Sequence, residues 1–479
     1  MTIEITRPTQ VATATATPVV ETKKVEFGTP LTRIWTPGKG LSRELVEEIG
    51  WQKDEPEWMR KFRLKSYDIF LSKPMPTWGP DLSGLDFDEL TFYTLPGSKR
   101  TRSWDEVPQD IKDTYEKLGI PEAERKYLAG VVAVFDSEPV YENLKEEYAK
   151  LGILFTSMDT ALKEYPDIVK KNFMTRCVPP TDNKFAALHG AVWSGGSFMW
   201  IPPNVKCDIP LQAYFRMEGK QEGTFEHTML IVEDGGNAEY IEGCTAQQYS
   251  SNSMHSAVVE IFVGKGARAR YTTVQNWSND VYNLNTKRAL VQEEGRMEWI
   301  GGSMGSKVTM LYPASYLIGK GAHADHLNIA FAKGKGQHKD GGAKVIHGAP
   351  YTTSNVLAKS ICKDGGRAGF RGLIRVAPGA VGAKVKVRCD GLMMDEDSVN
   401  FTYPTMEINQ NNVTIEHEAS VGRVSEEQIF YMMSRGLSEG EAMAMIVNGF
   451  IEPVTKELPM EYALELNRLV ALEMEGSIG

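Results

Sequence analysis

The sequence predicts a mainly β protein in which a solenoid of stacked β coils lies between two α-helical ends. Three observations support this prediction. From about residue 185 to about residue 420, short runs alternate Val, Ile, Tyr and Thr with polar residues. Glycine-bearing turns separate these runs at intervals of roughly 20 to 30 residues, which is typical of solenoids. Before and after this region the apolar residues follow a helical period.

The changes in period divide the chain into four predicted segments. Residues 1–27 are rich in Thr, Val and Pro without periodicity, so we expect a disordered tail. Residues 28–184 are expected to form a helical domain, and residues 185–423 the β core. Residues 424–479 are expected to form a second helical domain.

Helix signals support the N-terminal helical domain. Two residue pairs have the spacing of a helix N-terminal cap: Asp54 with Glu57, and Ser103 with Glu106. The stretches YENLKEEYAKLG (141–152) and MDTALKEYPDIVKKNF (158–173) combine good helix formers with amphipathic spacing. These stretches are therefore predicted to be helical.

Similar signals mark the carboxyl end. Two capping boxes are predicted there, Ser425 with Gln428 and Ser438 with Glu441. Gly436 is predicted to end the first helix, and Pro459 to open the last one. They predict a small helical cap on the solenoid.

The glycine-bearing turns of the β region resemble one another. Each places glycine shortly before an alternating run, in EDGGNAEYIEG, VGKGARARYTTV, QEEGRMEWIGG, IGKGAHADHLNIA, KDGGRAGFRGL and APGAVGAKVKV. Stacked coils explain this recurrence. An antiparallel sandwich, whose hairpins also contain glycine turns, stays open as an alternative.

Composition excludes several classes of protein. The formal net charge of -10 and the pI near 5.5 disfavour a nucleic-acid binder, which needs a basic face. We find no apolar stretch long enough for a signal peptide or a membrane span, so we expect a cytoplasmic protein. Five widely spaced cysteines without a CxxC pair suggest neither a disulfide framework nor a zinc ribbon, and they are Cys177, Cys207, Cys244, Cys362 and Cys389.

The common catalytic motifs are also missing from the sequence. It contains no GxxxxGK[ST] phosphate loop and no GxGxxG that follows a strand and opens a helix. HExxH and GxSxG are absent too. An ordinary P-loop ATPase, a Rossmann enzyme, a zinc protease and a serine hydrolase are therefore disfavoured.

One region carries residues suited to metal chemistry. In VKVRCDGLMM, strand alternation puts Cys389 on the apolar face and Arg388 on the other. In NVTIEHEASVGR, His417 falls on the apolar face, and Glu416 and Glu418 point the opposite way. A cysteine or histidine on such a face is more often a packed core residue than a metal ligand, so both interpretations stay open at this point.

Several segments together resemble the SufB/SufD family of iron–sulfur cluster assembly proteins. These segments are IEGCTA, TVQNW, NTKRAL, FRGLI, VRCDGLM, IEHEAS and EEQIFYMMSRGL. The resemblance extends from about residue 30 to the end. Cys389 with Glu416, His417 and Glu418 is similar to the SufB branch, whereas SVGR (420–423) is more like SufD. A homodimer therefore stays open.

The resemblance implies a right-handed β-helix core and a set of site residues. By matching motif, Cys389 would accept sulfur and hold a transient iron–sulfur cluster. Glu418 would be a further ligand, with His417 or Glu416 as others. Cys244 matches a cysteine at which persulfide sulfur would arrive before a relay through the solenoid interior. Cys389 must ionise for this chemistry, and a cation of Arg388 or of a partner would lower its pKa.

The resemblance also implies partners. We expect a scaffold subunit and not an enzyme working alone, with the SufC ATPase docked near the carboxyl end. SufD or a second copy of the chain would pair with the last β coils. A cysteine desulfurase system would supply sulfur, and apo proteins would accept the cluster. Flavin (FAD) in the complex follows from the family alone, without a supporting motif in the sequence.

Two rival functions compete with this interpretation. A SufD-like subunit would complete the interface without accepting sulfur, and Cys389 argues against it. A β-helix carbohydrate-active enzyme would need paired carboxylates on neighbouring coils and usually a secretion signal, and neither is evident in the sequence.

Overall fold

The architecture was analysed in a computed structural model that describes residues 33–35, 38–96, 130–135, 138–217, 222–246, 252–458 and 460–475. The predicted tail (1–27), the predicted cap of Ser103 with Glu106, and Pro459 lie outside the described residues.

Helices flank the β region at both ends. The described helices are α1 (Arg43–Gln52), α2 (Glu57–Ser72), α3 (Glu146–Lys150), α4 (Met158–Glu164), α5 (Pro166–Asn172), α6 (Lys184–Val192), α7 (Glu426–Ser434), α8 (Glu439–Thr455) and α9 (Met460–Glu475). Among these described helices, none is both long enough and apolar enough to cross a lipid bilayer.

Two long sheets form the β region. Sheet 1 contains, in spatial order, β4 (Glu138–Leu144), β3 (Gly130–Phe135), β7 (Leu211–Met217), β10 (Asn237–Ala246), β13 (Arg268–Trp277), β15 (Arg296–Gly305), β18 (His323–Lys333), β20 (Thr353–Lys363), β22 (Ala383–Met393) and β24 (Val413–Arg423).

Sheet 2 follows the same course beside sheet 1. It contains β5 (Leu154–Ser157), β6 (Ser197–Ile201), β9 (His227–Val232), β12 (Val258–Val263), β14 (Val281–Val291), β16 (Val308–Leu311), β19 (His338–His347), β21 (Arg367–Val376) and β23 (Val399–Ile408). Three short strands join it, β8 (Gly223–Thr224), β11 (Ser253–His255) and β17 (Ala314–Leu317). A separate antiparallel pair consists of β1 (Arg33–Trp35) and β2 (Leu95–Pro96).

The chain alternates between the two sheets, so that each coil adds a strand to both. From β6 and β7 onward the described strand pairs are parallel. From β7 to β24 the register partners along sheet 1 are 27 to 31 residues apart, as in the series Arg268, Arg296, His323, Thr353, Lys384 and Thr414. This is a solenoid-like β-helix of about 7 turns, as the sequence predicts. The antiparallel sandwich is excluded, because its hairpins would pair antiparallel.

The turns explain the recurrent glycines. Gly266 and Gly365 have positive φ angles of 60° and 80° at the turns before β13 and β21. Residues with a Cβ rarely adopt this conformation, so glycine is the favoured residue there.

Side chains that point inward along both sheets form one continuous core. Its members include Tyr240, Val259 and Val345. Outward side chains of sheet 2 pack against helices of the N-terminal region, and those of sheet 1 pack against α8 and α9 through residues such as Ile361 and Leu466. Both helical ends therefore lie on the outside of the same solenoid.

The structure corrects two details of the N-terminal prediction. Strand β4 covers the first third of YENLKEEYAKLG, and β3 and β5 also lie before residue 185, so the prediction of purely helical structure there is wrong. These strands extend the two sheets, because β4 pairs with β3, β3 with β7 and β5 with β6, which satisfies their backbone groups. Helix α2 is present as predicted, but it begins two residues later, because its N-cap is Pro56 and not Asp54, which has a φ of 50° after α1.

The carboxyl-terminal signals are mostly confirmed. Ser438 and Glu441 form the predicted capping box, with Ser438 N donating to Glu441 Oε2 at 2.8 Å. Gly436 has a φ of 96° after α7, as expected of a helix stop. Ser425 is the N-cap of α7, but its side chain makes no cap hydrogen bond, so that box is wrong.

Candidate functional site

Cys389 lies on the inner face of β22. Its residue surface is 2% exposed, and it belongs to the interior core with Val385 and Val387. The alternate residues Lys386 and Arg388 are exposed on the outer face. The two-residue period of the strand therefore positions the thiol as the sequence predicts.

Strand β24, the next strand of sheet 1, places the predicted Glu-His-Glu ligands on two faces. His417 is the register partner of Val387, so it shares the inner face with Cys389. Strand spacing and rise put the Cα atoms of Cys389 and His417 about 8 Å apart. Glu416 and Glu418 lie on the outer face, where Glu416 Oε2 is 3.8 Å from Lys386 Nζ.

The structure thus brings together only part of the predicted ligand set. A thiol and an imidazole share one face, whereas the two carboxylates point away from it. Across the part of the chain that the structure describes, no group of three or more His, Cys, Asp or Glu side chains is arranged to hold a metal ion. A complete ligand set would need groups from elsewhere or a change in β24.

The environment of Cys389 favours the neutral thiol. Burial, and then the nearby Asp390 carboxylate, raise its pKa from 9.0 to about 12. Arg388 Nε lies 3.1 Å from Asp390 Oδ2 on the outer face. In this structure Arg388 therefore does not lower the pKa of Cys389, contrary to the expectation from the resemblance.

The last coil forms an open end of the solenoid. Strands β23 and β24 are the terminal strands of sheet 2 and sheet 1, with one strand neighbour each. Tyr403, Val421 and Ile408 are exposed there. Long edge strands with exposed apolar side chains are surfaces on which another chain can pair.

Cys244, on β10, lies deep in the interior beside charged residues. Its Sγ is 3.6 Å from Glu242 Oε1, which in turn is 3.1 Å from Lys287 Nζ. Lys287 also donates a hydrogen bond to Tyr271 Oη at 2.6 Å. Sequence reasoning missed this cluster. The i, i+2 spacing of Glu242 and Cys244 on one strand was an available signal, whereas Lys287 comes from the opposite sheet.

The protonation of Cys244 follows from these neighbours. Burial and the Glu242 carboxylate raise its pKa well above the ordinary value, and the Lys287 ammonium acts in the opposite direction. Cys244 is therefore a neutral thiol with an acid and a cation beside it.

A column of small and polar side chains joins the regions of the two cysteines along sheet 1. In register, this column is Glu242, Thr273, Gly301, Asn328, Ala358 and Cys389. Five strand spacings separate its ends, so the Cα atoms of Cys244 and Cys389 are roughly 25 Å apart.

A narrow cavity of about 40 Å³ lies along this column. Gly301, Asn328 and Ala358 line it from sheet 1, and Lys339 and Gly341 from sheet 2. It also reaches Lys287, the ion-pair partner of Glu242. A space of this size holds a few small molecules such as water.

The three other cysteines are buried and free. Burial raises the pKa of Cys207 and Cys362 to about 11, and burial also raises that of Cys177. Cys177 Sγ donates to Arg288 O at 3.3 Å. These contacts agree with the structural role that we assign to them from the sequence.

The terminal helices present an exposed apolar surface. Phe430 and Tyr431 on α7 are 74% and 57% exposed, and Met433 and Met445 are exposed as well. Met443 instead packs against the core under α8. We call the four exposed residues the terminal-helix patch.

Comparisons with known proteins identify the family to which this chain belongs. A family model described as "SUF system FeS cluster assembly, SufBD core domain" matches residues 215–450. The chain is 56% identical over 446 residues to the "Iron-sulfur cluster assembly protein SufB" of Bacillus subtilis (strain 168), covering 93% of this chain and 96% of that protein. The chain belongs to the SufB/SufD family. It is therefore a member of a family of iron–sulfur cluster assembly proteins.

Other members of the SufB/SufD family are similarly close. The "Iron-sulfur cluster assembly SufBD family protein SSP1857" of Staphylococcus saprophyticus is 55% identical over 93% of this chain and 96% of its own length. A Staphylococcus epidermidis relative, "Iron-sulfur cluster assembly SufBD family protein SERP0500", gives the same figures. Since these matches cover nearly whole chains, the likeness extends to both helical ends.

The raised pKa of Cys389 predicts slow alkylation. At pH 8 a thiol with a pKa of about 12 has roughly a thousandfold less thiolate than a free cysteine, so iodoacetamide should label Cys389 correspondingly slowly. Peptide mass spectrometry of the folded chain, with the urea-unfolded chain as control, measures this ratio. Equal labelling rates in the two states would show that the thiol is already activated.

Proposed function

We propose that this chain is a scaffold subunit on which iron–sulfur clusters are assembled and from which they are transferred in the cytoplasm, with Cys389 accepting sulfur. Membership of the SufB/SufD family supports the general function. The observation that carries the site is the thiol of Cys389 and the imidazole of His417 on one face at the open end.

The ligand chemistry suits temporary binding. A stable cluster normally takes four thiolates, so one thiolate with imidazole or carboxylate ligands should hold a cluster loosely. Glu418 and Glu416 join the ligand set in our proposal only if β24 twists or a partner contributes. Such a twist is feasible because β24 is hydrogen-bonded to a neighbouring strand on one side only.

Activation of Cys389 requires a change in its surroundings. Because burial and the Asp390 carboxylate raise the pKa of Cys389 to about 12, its ionisation costs more free energy than that of an ordinary thiol. Exposing the inner face of β22, or bringing a cation to it, would remove this cost. We assign this work to the SufC ATPase, acting through the helices of residues 424–479, and the terminal-helix patch supports docking there.

The open end is proposed to pair with another subunit, either SufD or a second copy of this chain. Strands β23 and β24 are 10 and 11 residues long and would continue their sheets into the partner. Pairing would also cover the inner face near His417.

Sulfur is proposed to arrive at Cys244 from a cysteine desulfurase system and to reach Cys389 through the interior. A separation of roughly 25 Å rules out direct transfer between the two thiols in this fold. Sulfur moving through the narrow cavity would pass the amino groups of Lys287 and Lys339. Apo proteins would then accept the finished cluster. Flavin binding is not proposed, because no motif in the sequence supports it.

Replacing Cys389 tests the scaffold function. After anaerobic reconstitution with iron and sulfide, the wild-type chain should show the visible-light absorption of an iron–sulfur cluster. The Cys389→Ala variant should lose most of this absorption. Cys362→Ala on the neighbouring strand β20 is the matched control and should keep the absorption. Normal cluster formation by Cys389→Ala would show that the site assignment is wrong, whereas a wild-type chain that forms no cluster would favour the SufD-like partner function.

Filling the cavity tests the relay separately. A Cβ at Gly341 would have one neighbour within 4 Å, Leu311 O at 3.8 Å, so Gly341→Val should fold and occupy the cavity. Cluster assembly from desulfurase-derived sulfur should fall several-fold, whereas assembly from free sulfide should not change. Gly302→Ala, whose Cβ would face Leu466, is the control. Unchanged assembly from desulfurase-derived sulfur in Gly341→Val would exclude this route.

A charge at the open end tests the pairing. Native mass spectrometry of the chain with SufC and SufD should show a complex that Val421→Lys disrupts, because a charge would be buried in the seam. Leu71→Lys is the control, since Leu71 is a similarly exposed apolar residue on α2. A complex of unchanged mass with Val421→Lys would mean that the subunits meet elsewhere.

A further inference from the structure

A second cavity lies outside the solenoid, away from both cysteines. It is a groove of about 380 Å³ between the segment Lys73–Trp78, the start of α6 and the outer face of sheet 2. This volume is within the range of small-molecule sites. We call it the outer groove.

The outer groove is positively charged, although the whole chain has a net charge of -10. Lys73, Lys184, Arg288 and Lys344 line it, and Asp182 is the carboxylate among its described lining residues. Lys287 also lines it, but its ammonium pairs with Glu242 in the interior. The groove therefore has more positive than negative charge.

Some of these cations have protein partners and some do not. Lys184 Nζ donates to Phe70 O and Lys73 O, at 2.9 and 2.6 Å. Lys344 Nζ lies 5.3 Å from the centre of the Tyr312 ring, and no ion pair within 4.0 Å joins it to a carboxylate of the described residues. Burial lowers the pKa of Lys344, and the Asp182 carboxylate acts in the opposite direction.

Arg288 provides a second, independent sign that the outer groove is incomplete by itself. Its side chain is 9% exposed and binds Asp182 Oδ1 at 2.8 Å and Cys177 O at 2.8 Å. Its Nε is buried and has no hydrogen-bond partner. A buried donor without an acceptor costs free energy, so the residues around Arg288 satisfy its guanidinium only in part.

The backbone and the aromatic residues indicate the kind of anion. Helix α6 starts at Lys184, and the first-turn N–H groups of Lys184 and Phe185, which both line the groove, have no intrahelical acceptor. Trp78 and Tyr312 stand 5.8 Å apart, centre to centre, and form an aromatic wall. A phosphate group can accept hydrogen bonds from the N–H groups at the start of α6 and pair with the cations. A planar ring can stack on the aromatic wall.

We propose that the outer groove binds a phosphate ester of an aromatic ring system, of mononucleotide size. The phosphate would contact Lys344 and the start of α6, and the ring would contact Trp78. This site is separate from the proposed sulfur chemistry, because its outward residues lie across sheet 2 from the interior.

Calorimetry with AMP, adenosine and inorganic phosphate tests the proposal on the full-length chain at low ionic strength. AMP should bind more tightly than phosphate, and adenosine more weakly than AMP. Lys344→Met, which keeps the apolar stem over Tyr312, should weaken AMP and phosphate about tenfold, as expected for a lost charged hydrogen bond. Lys344→Arg should restore binding. Trp78→Ala should weaken AMP and leave phosphate unchanged.

The control is Lys335→Ala, an exposed lysine near Asp397 that lies outside the groove. It should bind AMP like the wild type, and thermal unfolding should show that all variants fold. The proposal is overturned if AMP and phosphate fail to bind at millimolar concentrations, or if Lys344→Met binds both like the wild type. Phosphate binding as tight as that of AMP would overturn the aromatic part.

Discussion

Parallel stacking of strands in register is the constraint on which the rest of this structure depends. Each inward residue is covered by its register partners, so a buried polar group must find its hydrogen bonds inside the solenoid. Glu242 and Lys287 satisfy each other across the two sheets, and Trp299 Nε1 donates to Ser315 Oγ at 3.0 Å. Breaking one member of such a pair would leave an uncompensated group in the core, which is strongly destabilising.

The same stacking separates a closed interior from an open end. Cys244 has covered strands on both sides, whereas Cys389 lies on the last strand but one of sheet 1. Beyond it, β24 has no further strand to cover it, and His417 is exposed. The covered coils therefore stabilise the fold. The final coil has backbone and side-chain groups on its outer edge to which a partner can bind.

The sequence predicted the two faces of β22 and β24 correctly, because strand alternation is a local property. Cys389 and His417 share one face, and Glu416 and Glu418 the other. The strands before residue 185 were not predicted, because tertiary pairing with β3 overrode the helical propensity of the segment at 141–144, and β3 and β5 pair in turn with β7 and β6. The cap of α2 was misplaced for a similar reason, since Glu55 pairs with the buried Arg63 and fixes the chain just before Pro56.

By itself, the sequence determined the solenoid class, a repeat of roughly 20 to 30 residues and the strand faces of Cys389 and His417. These depend on the two-residue period of a strand and on the recurrence of the turns, both of which are visible in one dimension. Only the tertiary structure decided which charges meet. Lys287 and Glu242 are 45 residues apart in the chain and come together only when a coil closes. The pKa of Cys389 likewise depends on burial by strands that follow and precede it, and burial is a property of the closed solenoid.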